Sequence, residues 1–147
     1  MAGISDSVEI QRKPEEVFAY IDDLAKHGEW QDRIEAVRVD TEGPTRVGTR
    51  VTETRRMPGG SQDISYEIVA HDPPRSSSFR GLNGPLRPLG TVRVEPVDGG
   101  TSSRVTVDFD FEPHGIGHLL APLARRQVRK EMPKAHARLK EILERSS

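Results

Sequence analysis

The sequence contains no cysteine. That excludes disulfides, thiolate catalysis, cysteine-ligated zinc and cysteine-held clusters together. Aromatic residues are scarce, at 5% of 147 positions, with one Trp and two Tyr, which leaves little for stacking nucleic-acid bases. Long apolar runs are absent as well. No window approaches the roughly 20 apolar residues of a membrane-spanning helix, and Met1 to Ser7 lacks the basic and apolar regions of a signal peptide, so a cytoplasmic protein without a membrane span is expected. Charge of one sign is lacking too: 22 Lys and Arg stand against 23 Asp and Glu, for a net charge of −1, which argues against a wholly basic nucleic-acid binder. No repeat or linker divides the chain, and its length suits one domain over residues 1–147 with a modest core, since 33% of the residues are apolar.

What is present changes character twice. Val8 and Ile10 alternate with polar neighbours and predict a short strand. Pro14 followed by Glu15 and Glu16 suits the first turn of a helix, where carboxylates meet the positive end of the dipole. Val17, Phe18, Ile21 and Leu24 supply its buried stripe, the helix ends near Asp22 to Leu24, and Lys26-His27-Gly28 turns the chain toward Trp30. From residue 33 to 112 the period becomes two. Strands are predicted over Arg33 to Asp40, Val47 to Arg56, Ser61 to His71, Ser77 to Gly81, Thr91 to Val97 and Ser103 to Glu112. Met57-Pro58-Gly59-Gly60 and Asp98-Gly99-Gly100 form hairpin connections, and Asn83-Gly84-Pro85 a loop with Pro88 close behind. Beyond Pro113, apolar residues from Ile116 to Leu143 recur at three- and four-residue steps, predicting a long amphipathic helix. Pro122 suits the first turn of its main segment after a short lead-in, and Pro133 is expected to bend it.

Strand, short helices, six-stranded meander and long C-terminal helix is the order of the helix-grip fold. The motifs Val8-Glu9-Ile10, Lys13-Pro14-Glu15-Glu16-Val17-Phe18, Val47-Gly48-Thr49, Gly90-Thr91-Val92-Arg93-Val94, Gly99-Gly100-Thr101 and Leu139-Lys140-Glu141-Ile142-Leu143-Glu144 together resemble the polyketide cyclase/dehydrase branch of the START-like (SRPBCC) superfamily. The resemblance runs from about residue 5 to 145. It implies an α+β fold: a curved antiparallel sheet of about seven strands around the C-terminal helix, two short helices after the first strand, and a ligand cavity between sheet and helix. Members of the superfamily bind lipids, hormones, polyketides or quinones, and some are enzymes, so fold alone leaves activity open.

Alternation assigns the faces. Val105, Val107, Phe109 and Phe111 share one face of the last strand, and Val92 and Val94 the matching face of the strand before. Ile64, Tyr66 and Ile68 point inward two strands earlier, with Phe79 between. The phase that holds Val47 and Val51 also holds Thr49, Glu53 and Arg55. If that register persists, Glu53 and Arg55 reach the cavity beside Tyr66, where an ion pair and a phenol could orient a polar ligand group; otherwise the strand has passed the rim and both are solvated. Trp30 is either a lid over the pocket, as the resemblance implies, or a core anchor. The residues expected to line the cavity are Trp30, Val51, Tyr66, Phe79 and Val92, together with Val94, Val107, Phe109, Leu119 and Leu123.

Other constellations carry less. Asp108, Asp110 and Glu112 alternate with apolar residues and read as a solvated outer face. His114 and His118 have a metal-like spacing, but the intervening Gly-Ile-Gly and the missing third ligand argue against a metal site. His27, His71 and His136 read as surface or turn histidines. No Gly-x-Ser-x-Gly elbow occurs, and the paired glycines flank hairpins instead of opening a helix, so neither a serine nucleophile nor a phosphate loop is indicated. No cofactor is implied. The run Arg125-Arg126-Gln127-Val128-Arg129-Lys130 reads as a solvated helix face before a nucleic-acid or ribosome surface. Residues 116–147 carry eight Lys and Arg against three Asp and Glu, so a basic helix is set against an acidic remainder. The functional expectation is binding of a small hydrophobic or amphipathic molecule. A cyclase or aromatase using Glu53, Arg55 or Tyr66 is the alternative, and an interaction protein similar to ribosome-associated members a third. Oligomeric state is left open.

Overall fold

In the computed structural model, which describes residues 3–57 and 59–145, strand β1 (Ile4–Ile10) buries Ile4 and Ile10 at its two ends. Pro14 is the first residue of helix α1 (Pro14–Asp22), with Glu15 and Glu16 in its first turn, and Val17, Phe18 and Ile21 buried on one face. A short 3₁₀ helix, Leu24–Glu29, follows. Six strands then run in sequence: β2 (Ile34–Val39), β3 (Arg50–Met57), β4 (Gly60–Asp72), β5 (Ser76–Gly81), β6 (Leu86–Val97) and β7 (Ser102–Pro113). Helix α2 (Gly117–Arg145) ends the fold.

The strands make one antiparallel sheet in the order β1-β7-β6-β5-β4-β3-β2. Each strand pairs with the next in sequence, except that β1 returns to the edge beside β7. The result is the helix-grip architecture, a curled half-barrel with a long helix on its concave side. The β6–β7 hairpin closes through Asp98, Gly99 and Gly100, all at positive φ, as the turn residues require. Pro58, in the β3–β4 connection, lies outside the described residues, as do Met1, Ala2 and the last two serines.

Three boundaries differ from the sequence reading. β3 begins at Arg50, not Val47. Gly48 has φ +95° and the Arg46 amide is held by the Thr49 hydroxyl at 2.9 Å, so a turn occupies those positions and exposes Val47. β6 begins at Leu86, five residues before Thr91, and includes Pro88. Pro88 falls just beyond the last β5–β6 pair, Arg80 with Leu89, at the end of that ladder, and its ring packs on Gly81 of β5, where a Cβ would stand 2.6 Å from Pro88 Cδ. Finally α2 is continuous from Gly117, so Pro122 sits inside it and not in a first turn.

Two clusters form the core. The larger joins Ile10, Val17, Phe18, Ile21 and Trp30 to Val94, Val105, Val107, Leu139 and Leu143. It fixes the C-terminal half of α2 over β1, helped by Arg12, whose guanidinium donates to the Leu143 carbonyl at 2.8 Å. The smaller packs Leu24 with Val51, Tyr66 and Ile68. The N-terminal end of α2 rests on the β5–β6 loop: a Cβ on Gly117 would lie 1.9 Å from the Pro85 carbonyl oxygen, so only glycine permits this approach.

Candidate functional site

The concave wall carries a row of aromatic rings. Tyr66 meets Phe79 at 5.4 Å between centroids, Phe79 meets Phe109 at 6.1 Å, and Phe109 stands edge-on to Phe111 at 5.1 Å. Period two turns all four inward, while the register sets Gly90 opposite both Phe79 and Phe109. A Cβ at Gly90 would stand 3.0 Å from the Phe79 ring and 2.7 Å from the Asp108 carbonyl oxygen. The missing side chain is therefore what lets the two phenyl rings approach. Phe79, Val92, Phe109 and Phe111 are only half-buried: Phe79 packs against the smaller core cluster and Val92 and Phe109 against the larger, and each leaves part of its surface open along the wall.

At the Tyr66 end of the row the wall becomes charged. Glu53 is 5% exposed. It accepts the Tyr66 hydroxyl at 2.9 Å and the Arg55 guanidinium at 2.9 Å, and His27 Nδ1 lies 3.6 Å away. Burial works to raise the Glu53 carboxyl, but His27, Arg55 and Tyr66 outweigh it and hold it below its ordinary value. Burial also drives the Tyr66 phenol well above its own, with the neighbouring carboxylate adding to the effect. The cluster thus holds an anion and a proton donor side by side among Leu24, Val51, Ile68 and Phe79. The Arg55 guanidinium also points toward the Gln31 side-chain oxygen at 3.4 Å.

His27 is the residue that period and spacing missed. Its Nε2 donates to the Ile21 carbonyl at 2.8 Å, and its ring meets Trp30 edge-on at 5.5 Å. The 3₁₀ helix turns it inward, and a single turn of that kind leaves no periodic signal. The other two histidines read as surface residues are also drawn in: half-buried His71 against both Asp22 oxygens, at 2.9 and 3.0 Å, and buried His136 against Asp6 at 2.6 Å. Each is hydrogen-bonded to an acid more than 45 positions away in sequence, a pairing invisible before folding.

The residues expected to line the cavity separate into three groups. Tyr66, Phe79, Val92 and Phe109 lie along the aromatic row. Val51, Val94, Val107 and Trp30 are closed inside the two core clusters; Trp30, 7% exposed, is a core residue and not a lid, although its indole N–H has no partner. Leu119 and Leu123 are 81% and 71% exposed, and the cavity assignment for these two is corrected. The inward face of the first turns of α2 is Gly117 and Ala121, because close approach to the loop demands small residues, and the leucines are rotated to the opposite face.

Elsewhere the carboxylates that alternate with the apolar residues of β7 are paired: Asp108 with Arg93 at 2.6 Å, Glu112 with Arg80 at 3.0 Å, and Asp110, beyond the end of the β1 pairing, with Arg125 of α2 at 2.7 Å. His114 turns to Glu112, and among the described residues no group of three or more metal-ligating side chains forms. Two open grooves lie off the concave wall. One, of about 540 Å³, runs between α1 and the β2–β3 loop past Asp22, Asp23, Thr41 and Thr45; the other, of about 330 Å³, crosses the convex face near Arg80 and Leu82. Asp22 is tied to His71 and Arg80 to Glu112, so neither groove combines apolar wall with buried charge as the concave face does. The concave face is the candidate site.

Comparison with known proteins agrees with this architecture. A family model described as polyketide cyclase / dehydrase and lipid transport matches residues 1–144. The curated relative Toxin Rv0910 from Mycobacterium tuberculosis is 25% identical over 139 residues, covering 90% of this chain and 94% of that protein. A START superfamily protein from Mycobacterium smegmatis superposes with a TM-score of 0.76 at 16% identity, over 99% of both chains. The Zhui aromatase/cyclase from Streptomyces sp. R1128 superposes with a TM-score of 0.78 at 16% identity, over 97% of this chain and 93% of its own. At such identities the two structures speak for the fold alone.

Proposed function

The chain belongs to the polyketide cyclase / dehydrase and lipid transport family, and from that premise we propose that it binds a small hydrophobic or amphipathic molecule, lipid-, polyketide- or quinone-like, between the curled sheet and α2. The observation that carries this reading is the half-buried aromatic row running into a buried charged cluster. An apolar body lies along Phe79, Phe109 and Phe111, gaining about 25 cal/mol for each Å² removed from water. A polar end meets Arg55, Gln31 and Tyr66, which set orientation while contributing less to affinity. Native mass spectrometry of protein purified from its own host tests this: a co-purifying small apolar mass is expected, lost in the Phe79→Ser, Phe109→Ser variant. A protein free of bound mass under every gentle condition, and after incubation with host lipid extract, contradicts it.

A second reading, catalysis of the cyclase or aromatase type, is favoured by one observation: Glu53 and Tyr66 place a charged carboxylate and a phenolic proton donor 2.9 Å apart beneath the same wall. A poly-β-carbonyl substrate folded on the aromatic row could have a carbonyl polarised by Tyr66 or Arg55. Turnover of such a substrate should fall by about 100-fold or more in the Glu53→Gln, Arg55→Met and Tyr66→Phe triple variant. Turnover unchanged by all three substitutions removes this reading and leaves the first intact.

A further inference from the structure

Four aliphatic side chains at the start of α2 have nothing over them. Ile116, Leu119, Leu120 and Leu123 are 62%, 81%, 42% and 71% exposed. Their steps of three, four and seven residues place them on one face, opposite Gly117 and Ala121, which pack inward. An apolar surface of this kind on a charged, polar protein marks a docking site.

The same helix face continues through Arg126, Lys130 and Lys134, all exposed and, among the described residues, outside any ion pair. No acidic residue occurs between Gly117 and Lys130. Other cations of the helix are engaged: Arg125 by Asp110, Arg138 by Glu141 and Lys140 by Glu144.

We propose that this face docks the protein on an anionic phospholipid surface. Ile116, Leu119 and Leu123 enter the boundary between headgroups and acyl chains, and Arg126, Lys130 and Lys134 lie along the headgroups. Charge selects the occupant. A second copy would bring its own Arg126, Lys130 and Lys134 against the same three unpaired cations, whereas anionic headgroups complement them. A stable protein interface also draws on roughly 20–30 residues a side, far more than this patch offers. A nucleic acid would use the cations and leave the leucines without a role. The proposal stands independently of what the concave wall binds.

Co-sedimentation with vesicles tests it, using phosphatidylcholine alone and phosphatidylcholine mixed with phosphatidylglycerol. The protein is expected to bind the anionic vesicles, weakly at high salt, and to leave the neutral ones in solution. Leu119→Ser with Leu123→Ser should weaken binding by about tenfold or more. Each of Arg126→Gln, Lys130→Gln and Lys134→Gln should cost about fivefold. All five side chains are exposed, so circular dichroism and the melting midpoint should be unchanged. No binding to anionic vesicles overturns the proposal. So does binding indifferent to the serine pair, or a dimer in sedimentation velocity that the serine pair converts to monomer. Association with RNA that needs the three cations but not the leucines overturns it as well.

Discussion

Glu53 is the residue on which the candidate site turns. A carboxylate buried this deeply is costly unless fully partnered, and replacing a buried ion pair with apolar side chains of similar volume is often neutral or stabilising. Glu53→Gln leaves Arg55 facing a neutral amide and should cost about 1–3 kcal/mol in chemical denaturation. Glu53→Leu with Arg55→Met should recover most of that loss while abolishing ligand binding. If the double variant is instead less stable than the single one, the pair is there for folding. His136 carries a separate prediction. Burial holds it below its ordinary value of 6.5, with the hydrogen bond to Asp6 opposing. Because the folded protein resists a proton that the unfolded chain accepts, this stability is full above pH 6.5, declines as pH falls below it, and levels off once pH is under the folded value. Urea midpoints should therefore fall more between pH 7.5 and 5.5 in the native protein than in His136→Gln. Equal falls in the two would remove His136 as the cause.

Among the elements, strands and hairpins follow from local pattern, while the orientation of a helix follows from what it touches. The phase that carried Val51 through Glu53 to Arg55 persists to the end of β3, since each residue pairs in turn with β4 from Arg50 opposite Glu67 to Met57 opposite Gly60. Alternation read that register because half of the strand is buried. The rotation of α2 was not readable in the same way. Leucine at residues 119, 120 and 123 looks like a core stripe, whereas the true inward stripe begins with Gly117 and Ala121, chosen for backbone approach to Pro85 and not for hydrophobicity. Gly90 makes the same point inside a strand. Gly90→Ala should cost about 1–3 kcal/mol by overpacking and should move Phe79, seen as weaker ligand binding together with a lower melting midpoint. A variant with native stability and native binding would show that the glycine is not what brings the rings together.

For the whole molecule, near neutrality conceals a division. The acidic sheet and basic helix attract each other through defined pairs, including Arg125 with Asp110 and Arg33 with Glu131, the latter joining the segment before β2 to the middle of α2. These pairs are partly exposed and each adds little to stability; their effect is to hold the helix across the open side of the half-barrel. Composition and strand order pointed to a meander and one long amphipathic helix, which have few ways to bury one core, and the resemblance to the START-like superfamily supplied the wrapping of the sheet around the helix. The histidine pairings were out of reach, and the choice between lid and core anchor for Trp30 was left open, since both depend on residues that only the finished sheet brings together. Among the described residues no helix is long and apolar enough to cross a membrane, in keeping with helices that bury one stripe each. The central claim is that the aromatic row, with its charged end, is where a ligand sits. NMR of the aromatic and methyl groups during titration with menadione, and separately with decanoate, tests it most directly. Saturable shifts at the Phe79 and Phe109 rings, with the Leu119 and Leu123 methyls unmoved in the absence of vesicles, are predicted. Rings that stay still while those methyls or Thr41 and Thr45 shift would contradict the account.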